Sequence, residues 1–429
     1  MPHRPRFECL FTYDFRPAGQ GLFTRGELQF YDRGTDKRRF QWVYDCGSEN
    51  TRPLHGQVDL YRRQLPEPKR LDLLVLSHFD RDHLRGLGRL LNSLPVSHLV
   101  LPYVTPGQWM LLALASGPDD PDWLRFLVNP VAYLTALPGA QIGSVVVVLP
   151  SDDPIAPPEE PPAESPGPNT PPAVFPDLSP PAKDVFVDDP DLILEGAAGH
   201  VQTTAAQRPV EVLGLWEFAF FNRPRPEMEP RLGSRIQPLF DEFYRRTERD
   251  RDYVGFVRQL RGAYEGVFGA TAAGRNEISL VTYTGPVSTR LHAASYRSRD
   301  HGHYPASGES RSPAFGASQD AEGGKVSLLY TGDITCDRAT TAQFDHRFSS
   351  QRLPRLRFLQ VPHHGSRHSW EVGQAALWPH EWSVISAGLN NSHGHPAPEV
   401  IEELSARGPV VVNELQGAAW GGRVAWRVK

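Results

Sequence analysis

The chain has 429 residues, of which 41 are proline and 39% are apolar, so less of it packs into cores than the two or three average domains that its length would hold. A formal charge of −5 and a pI near 6.4 exclude an overall attraction to polyanions and leave any nucleic-acid binding to a local patch. Three cysteines with no close pairing, Cys9, Cys46 and Cys336, argue against a disulfide framework, and no apolar run approaches the roughly 18 residues of a membrane span, so the expected location is cytoplasmic with no membrane partner.

The first structured segment to combine an apolar strand with a polar loop is WVYDCGS, residues 42–48. LLVLSHFDRDHLRG, residues 73–86, repeats the pattern and places His78, Asp80, Asp82 and His83 directly after an apolar run. Hydrolytic metal sites are built from imidazole and carboxylate, and alternate residues of an extended turn point the same way. This spacing therefore lets His78 and Asp80 grip one divalent ion while Asp82 and His83 serve a second. The alternative is a helix-capping loop in which Asp80 or Asp82 caps a helix beginning near Leu84, since Leu84, Leu87, Leu91 and Leu94 share one helical face.

Residues 151–190 contain the stretch PIAPPEEPPAESPGPNTPPAVFPDLSPP, which cannot bury enough apolar surface to offset its ordering entropy and reads as a surface insertion or linker. EVLGLWEFAFFN (211–222) is a strand candidate, and residues 234–269 carry Leu239, Phe243, Phe256, Leu260 and Val267 at helical spacings. Residues 288–324, rich in Ser, Gly and Arg, read as a long loop between the strand-like runs EISLVTYTG and KVSLLYTGD. Three further apolar runs then end in polar loops: LLYTGDIT (328–335), RFLQVPHHGSRHS (357–369) and WSVISAGLNNSHGHP (382–396), the last leading into the helical pattern APEVIEELSARG. Strands alternating with helices, with functional residue types gathered at strand ends, indicate a layered α/β architecture.

SHFDRDHLRG resembles the signature loop of the metallo-β-lactamase fold, normally H-x-H-x-D-H followed closely by Gly. Asp80 in place of the second His resembles the ComEC-type DNA-uptake domain and its soluble relatives. The resemblance continues in order through GQG (19–21) with YDCGS (44–48), NEISLV (276–281), YTGDI (330–334), VPHHGSRHS (361–369) and SAGLNNSHGHP (386–396). It implies an αββα four-layer sandwich with two loop or disordered insertions, its first half in residues 1–150 and its second half, with the helical segment 234–269, in residues 191–429. It further implies two divalent ions, zinc or manganese with magnesium also admitted, held by His78, Asp80, Asp82, His83, Asp333 and one of the pair His363 and His364, with Asp333 bridging.

In the same resemblance Asp45 orients the signature loop, and Asn276 lies near the position of the family's third-motif His, which has no counterpart here. An Asp at position 80 hardens the site towards Mn²⁺ or Mg²⁺. His395 and His393 are candidates to donate a proton or bind phosphate, with Ser366 and His368 as further substrate contacts. Two ions of this kind activate water for hydrolysis. The implied activity is that of a metal-dependent phosphodiesterase, most of all a nuclease whose substrate is nucleic acid, acting as an effector in bacterial conflict or defence under a regulatory protein partner. A hydrolase of small nucleotides or esters, and a silent scaffold that retains the fold, are the competing readings.

Overall fold

The computed structural model describes residues 7–32, 36–104, 121–157, 173–179, 201–223, 230–268, 279–287, 291–298, 319–320 and 325–426. Two sheets face each other. The first runs, edge to edge, through Gln319–Asp320, Leu291–Ser298, Ala418–Trp426, Phe7–Phe15, Phe23–Asp32, Asp36–Cys46, Leu71–Val75, Pro95–Pro102, Gln141–Val148 and Val201–Thr204. The second runs through Pro409–Val412, Trp382–Ser386, Leu356–Gln360, Ser327–Tyr330, Leu280–Pro286, Trp216–Asn222, Val210–Val212 and Ala173–Val174.

Each sheet is half antiparallel and half parallel, and the sequence of each strand follows from which half it joins. Phe7–Phe15 alternates buried and half-buried side chains towards its start, as a strand with one wet face does. Leu71–Val75, Ser327–Tyr330 and Leu356–Gln360 each pair with a parallel neighbour and are buried at every position, which is why they read as mostly apolar runs, broken only by Asp72, Ser327, Arg357 and Gln360. One apolar cluster fills the space between the sheets, and two others lie between each sheet and its covering helices. The result is the expected αββα order of layers.

Between the sheets, the rings of Tyr44 and Tyr330 stack at 4.3 Å and 14°. Tyr44 also donates to the Leu280 carbonyl at 2.9 Å. Burying each such ring contributes about 2 kcal/mol. Because Tyr44 and Tyr330 stand just before Asp45 and Asp333 in sequence, this stack sets the separation of the two sheets directly behind the strand ends that carry those carboxylates.

Several elements differ from the sequence expectation. EVLGLWEFAFFN is not one strand: Leu213 and Gly214 adopt φ of 53° and 66° and fold it into a hairpin pairing Val212 with Trp216. The helix expected from Leu84 onwards is two short ones, Arg81–Leu84 and Leu87–Leu91. They part at Gly86, whose N–H donates to the Cys46 carbonyl at 2.8 Å and where a Cβ would lie 2.6 Å from Cys46 Sγ. Within the supposed loop 288–324, Leu291–Ser298 is a strand paired with Ala418–Trp426. The flanks of the proline-rich stretch are also built in: Ile155 is buried, and Ala173–Val174 pairs along the edge of the second sheet. The core of that stretch lies outside the described residues. No helix among the described residues is long and apolar enough to cross a membrane.

Candidate metal centre

The parallel strands of both sheets deliver their carboxyl ends to one rim, the usual place for a site in such sheets. Asp36–Cys46 carries Asp45, Leu71–Val75 leads into the signature loop, Ser327–Tyr330 leads to Asp333, Leu356–Gln360 to the His pair, and Trp382–Ser386 to His393 and His395.

Asp45 is fully buried with a left-handed backbone, φ 55°. Its Oδ1 accepts from the Ser77 N–H at 2.7 Å and its Oδ2 from the Ser77 hydroxyl at 2.6 Å, while His83 Nδ1 lies 2.8 Å from the same Oδ2. Ser77 Oγ is in turn 2.8 Å from His78 Nδ1. With its own proton committed to Asp45, that hydroxyl accepts from His78. One carboxylate therefore fixes both imidazoles with Nδ1 protonated and Nε2 turned inward, as in carboxylate–histidine–metal triads. Asp45, His78 and His83 lie close enough to pass as a ligand triad, but the Asp45 oxygens are occupied by these three donors, so it positions rather than ligates.

The capping alternative is not realised. Asp80 precedes the helix Arg81–Leu84 in extended conformation, without a side-chain capping bond.

Asp333 is held by its N–H donating to Ser279 Oγ at 2.9 Å. Its loop is fixed by the buried amide of Gln360, which accepts from the Thr331 and Gly332 N–H groups, both at 2.8 Å, and donates to the Gly332 and Val361 carbonyls. From this seat its carboxylate faces four imidazoles: His83 Nε2 at 3.3 Å, His78 Nε2 at 3.6 Å, His363 Nε2 at 3.9 Å and His364 Nε2 at 4.0 Å.

His363 and His364 both adopt left-handed backbone, φ 46° and 56°, followed by Gly365 at φ 76°. Non-glycine residues in this region cost about 1–3 kcal/mol each and collect at functional sites. The strain turns both rings inward, so the pair contributes two imidazoles where one was expected. His363 Nδ1 lies 2.7 Å from Ser369 Oγ, His364 Nδ1 lies 2.7 Å from the Ser386 carbonyl, and His364 Nε2 lies 3.0 Å from Asp82 Oδ2.

Burial works against every charge here, and the charges offset it in pairs. Asp333 stays well below the carboxylate range against burial because His83, His363, His78 and His364 surround it. Asp82 is likewise held low by His83 and His364. His83 is raised, against burial, by Asp333, Asp82 and Asp45. His78 is pushed down to about 4 by burial and then by His83. Asp80 is pushed up to about 7 by burial and by the charges of Asp82 and Asp333; with 39% of its side chain exposed, solvent moderates that shift.

His78 Nε2, His83 Nε2 and Asp333 Oδ1 are buried without a hydrogen-bond partner. Each such atom costs about 1–3 kcal/mol unless something binds it. Orphaned imidazole nitrogens facing orphaned carboxylate oxygens are the donor set that a divalent cation completes, and Asp82, His83 and His364 bring ligand atoms within 4.8 Å of one another. The residues present fit divalent metal.

The remaining candidates stand apart from this cluster. The His395 ring lies 5.5 Å from that of His363 and 6.4 Å from that of His364, leaning over both. His393 stacks on His395 at 5.7 Å and meets Glu49 Oε1 at 3.0 Å. Ser366 is buried, and its Oγ accepts from the His368 N–H at 3.3 Å, shaping the turn. His368 is exposed beside Arg367 and does not join the cluster. Asn276 lies outside the described residues. Sequence reasoning missed Ser77, Ser279, Gln360 and Ser369; all four sit inside the quoted stretches, but nothing in a string of letters assigns a hydroxyl or an amide to a particular partner atom.

Replacing Asp45 by Asn is expected to free both imidazoles and weaken metal affinity by about 10–100-fold with the fold intact, measured by competition with a chromophoric chelator. Metal uptake should also weaken from about pH 8 to about pH 6, because Asp80 then holds a proton that the ion must displace. Since the folded value of Asp80 lies above its unfolded one, the same group favours the metal-free fold at low pH and loses that contribution as pH rises towards 7. Asp80→Asn should flatten both dependences, and unchanged profiles in that variant would refute the assignment.

Among known proteins, the family model described as the metallo-beta-lactamase superfamily matches residues 42–187. That stretch contains Asp45 and the signature loop and ends before Asp333 and the His pair. The crystal structure of the metallo-beta-lactamase fold protein YhfI from Bacillus subtilis aligns over 95% of this chain and 98% of its own, at 8% sequence identity and a TM-score of 0.33. No curated protein matches the chain.

Proposed function

We propose that this metallo-β-lactamase-like chain is a two-ion hydrolase of phosphodiesters, with nucleic acid as its substrate. The observation that carries the reading is the inward-facing set of orphaned His78 Nε2, His83 Nε2 and Asp333 Oδ1, joined by Asp80, Asp82, His363 and His364. Bound there, divalent ions would supply an activated water and offset the negative charge that repels it from a phosphodiester. Asp333 would span the two positions. His395 is held down to about 4 by burial and by His363 and His364, so near neutral pH its ring is uncharged, which suits a hydrogen bond to a phosphate oxygen better than proton donation. Arg81, between the two loop carboxylates, packs over the Trp123 ring at 5.3 Å, a pairing of cation and aromatic surface that suits single-stranded nucleic acid. Restraint by a partner protein in a cytoplasmic defence or conflict system belongs to the same reading.

The net charge of −5 favours the second reading, a hydrolase of small nucleotides. Incubation with Mn²⁺ and, separately, plasmid, a single-stranded oligonucleotide and a panel of dinucleotides decides between them. The proposal expects chelator-sensitive cleavage of the longer substrates. Intact plasmid and oligonucleotide beside cleaved dinucleotides would overturn it in favour of the second reading, and no cleavage of any substrate by metal-loaded protein would leave the silent scaffold.

A further inference from the structure

We propose that the two ends of the cluster hold metal unequally: a deep position formed by Asp82, His83 and His364 retains its ion, and a rim position formed by His78, Asp80 and His363 exchanges its ion with solution, Asp333 lying between them. The inference rests on the two-ion reading above and adds a regulation to it, since an enzyme with one exchangeable ion responds to the free metal concentration around it.

Three observations separate the two positions. The first is depth: at the deep position His83, His364 and Asp82 have side chains 0%, 4% and 20% exposed, whereas at the rim position His78 is 3% exposed but His363 and Asp80 are 21% and 39% exposed. A ligand open to water loses less by releasing its ion, because water replaces the lost bond.

The second is how the imidazoles are tethered. His83 Nδ1 meets the Asp45 carboxylate and His364 Nδ1 meets the Ser386 carbonyl. Both partners can only accept, so Nδ1 of each ring keeps its proton and Nε2 is the atom turned inward, where an incoming ion displaces the proton that His364 Nε2 shares with Asp82. At the rim, His78 is held by Asp45 through Ser77, but His363 Nδ1 meets the Ser369 hydroxyl, which can donate as well as accept and so does not select the tautomer that a metal requires.

The third is the backbone. Around Asp82 and His83 two glycines leave no space: a Cβ on Gly21 would lie 2.2 Å from the Asp82 carbonyl oxygen, and one on Gly47 would lie 2.2 Å from the His83 carbonyl carbon. The Leu22 N–H also donates to the Asp82 carbonyl at 3.3 Å. Asp80, by contrast, makes no side-chain hydrogen bond among the described residues. Its carboxylate stands 3.8 Å from His78 Nε2, beyond hydrogen-bond reach. Ordering its carboxylate is thus left to the ion itself, which lowers the net affinity of that position.

The test is metal stoichiometry and calorimetry on the full chain. After dialysis against a mild chelator, elemental analysis should find about one ion per chain, and titration with Mn²⁺ should add a second at an affinity lower by about ten-fold or more. Asp80→Asn should abolish only the weak step, and Asp82→Asn should abolish the strong one. Circular dichroism and thermal unfolding of each variant confirm that it is folded, and His363→Gln provides a second rim variant should Asp80→Asn fail that check. Two ions lost together, two steps of equal affinity, or loss of both steps in a folded rim variant would overturn the inference while leaving the two-ion reading intact. Failure of the wild type to bind any metal would overturn both.

Discussion

Asp333→Asn is expected to lower hydrolysis by about 10³-fold or more, since each 1.36 kcal/mol of lost transition-state stabilisation is a factor of ten and metal-borne stabilisation amounts to several kcal/mol. The reason lies in its seat. A single buried carboxylate faces the Nε2 atoms of His78, His83, His363 and His364 at 3.3–4.0 Å, and no other side chain in the cluster faces all four rings. Asparagine preserves the shape, so the Ser279 and Gln360 contacts that seat the loop survive. It replaces one anionic oxygen with an amide nitrogen whose hydrogens face those rings and oppose a cation. The variant should therefore fold, bind less metal by elemental analysis, and lose most of the rise in melting temperature that metal gives the wild type. Full metal content and full activity in this variant would show that Asp333 is not at the centre of the site.

Arg352→Met is expected to cost about 3–5 kcal/mol of stability, the usual result of removing one partner from a buried ion pair, out of the roughly 5–15 kcal/mol that holds a domain together. Arg352 and Glu217 have side chains only 1% and 2% exposed and meet through two bonds of 3.1 and 3.0 Å. The guanidinium also donates to the carbonyls of Ala156 at 2.8 Å and Ile155 at 3.3 Å. Nearby Arg347 donates to the carbonyls of Asp153, Ala205 and Ala206. These two arginines pin the start of the proline-rich stretch, at Asp153, Ile155 and Ala156, to the second-sheet strand Trp216–Asn222, next to the one that leads out of Ser279. Burial already pushes the Glu217 carboxyl up even with Arg352 beside it. Without Arg352 its folded value rises further above the unfolded one, so the variant should recover stability as pH falls, whereas a merely local packing defect would not. Urea unfolding at about pH 7 and about pH 5 measures both, and Glu217→Gln in the same background should restore much of the loss. A cost below about 1 kcal/mol would contradict the assigned role.

What could be read from the sequence, and what could not, follows from the range of the interactions involved. The signature loop and the strand ends are legible because parallel strands buried on both faces leave mostly apolar runs, and the loops after them concentrate His and Asp. The convergence of both His363 and His364 was not, because it depends on two consecutive left-handed residues, and only Gly365 among the three announces that conformation. The hairpin at Leu213 hid for the same reason. Leu291–Ser298 reads as loop because a strand with two Ser, an Arg and a His among its eight residues carries little apolar signal of its own, and the strand that specifies it, Ala418–Trp426, lies more than a hundred residues away. The relay from Asp45 through Ser77 to His78 joins groups whose letters are visible but whose facing atoms are set only by the pairing of Asp36–Cys46 with Leu71–Val75.

Anomalous diffraction from crystals soaked in Mn²⁺ tests the central claim most directly. The account predicts two peaks about 3.5–4 Å apart, one against Asp82, His83 and His364 and the other against His78, Asp80 and His363, with Asp333 reaching both. Crystals that show no peak among these seven side chains, at a Mn²⁺ concentration that saturates the protein in solution, would contradict it.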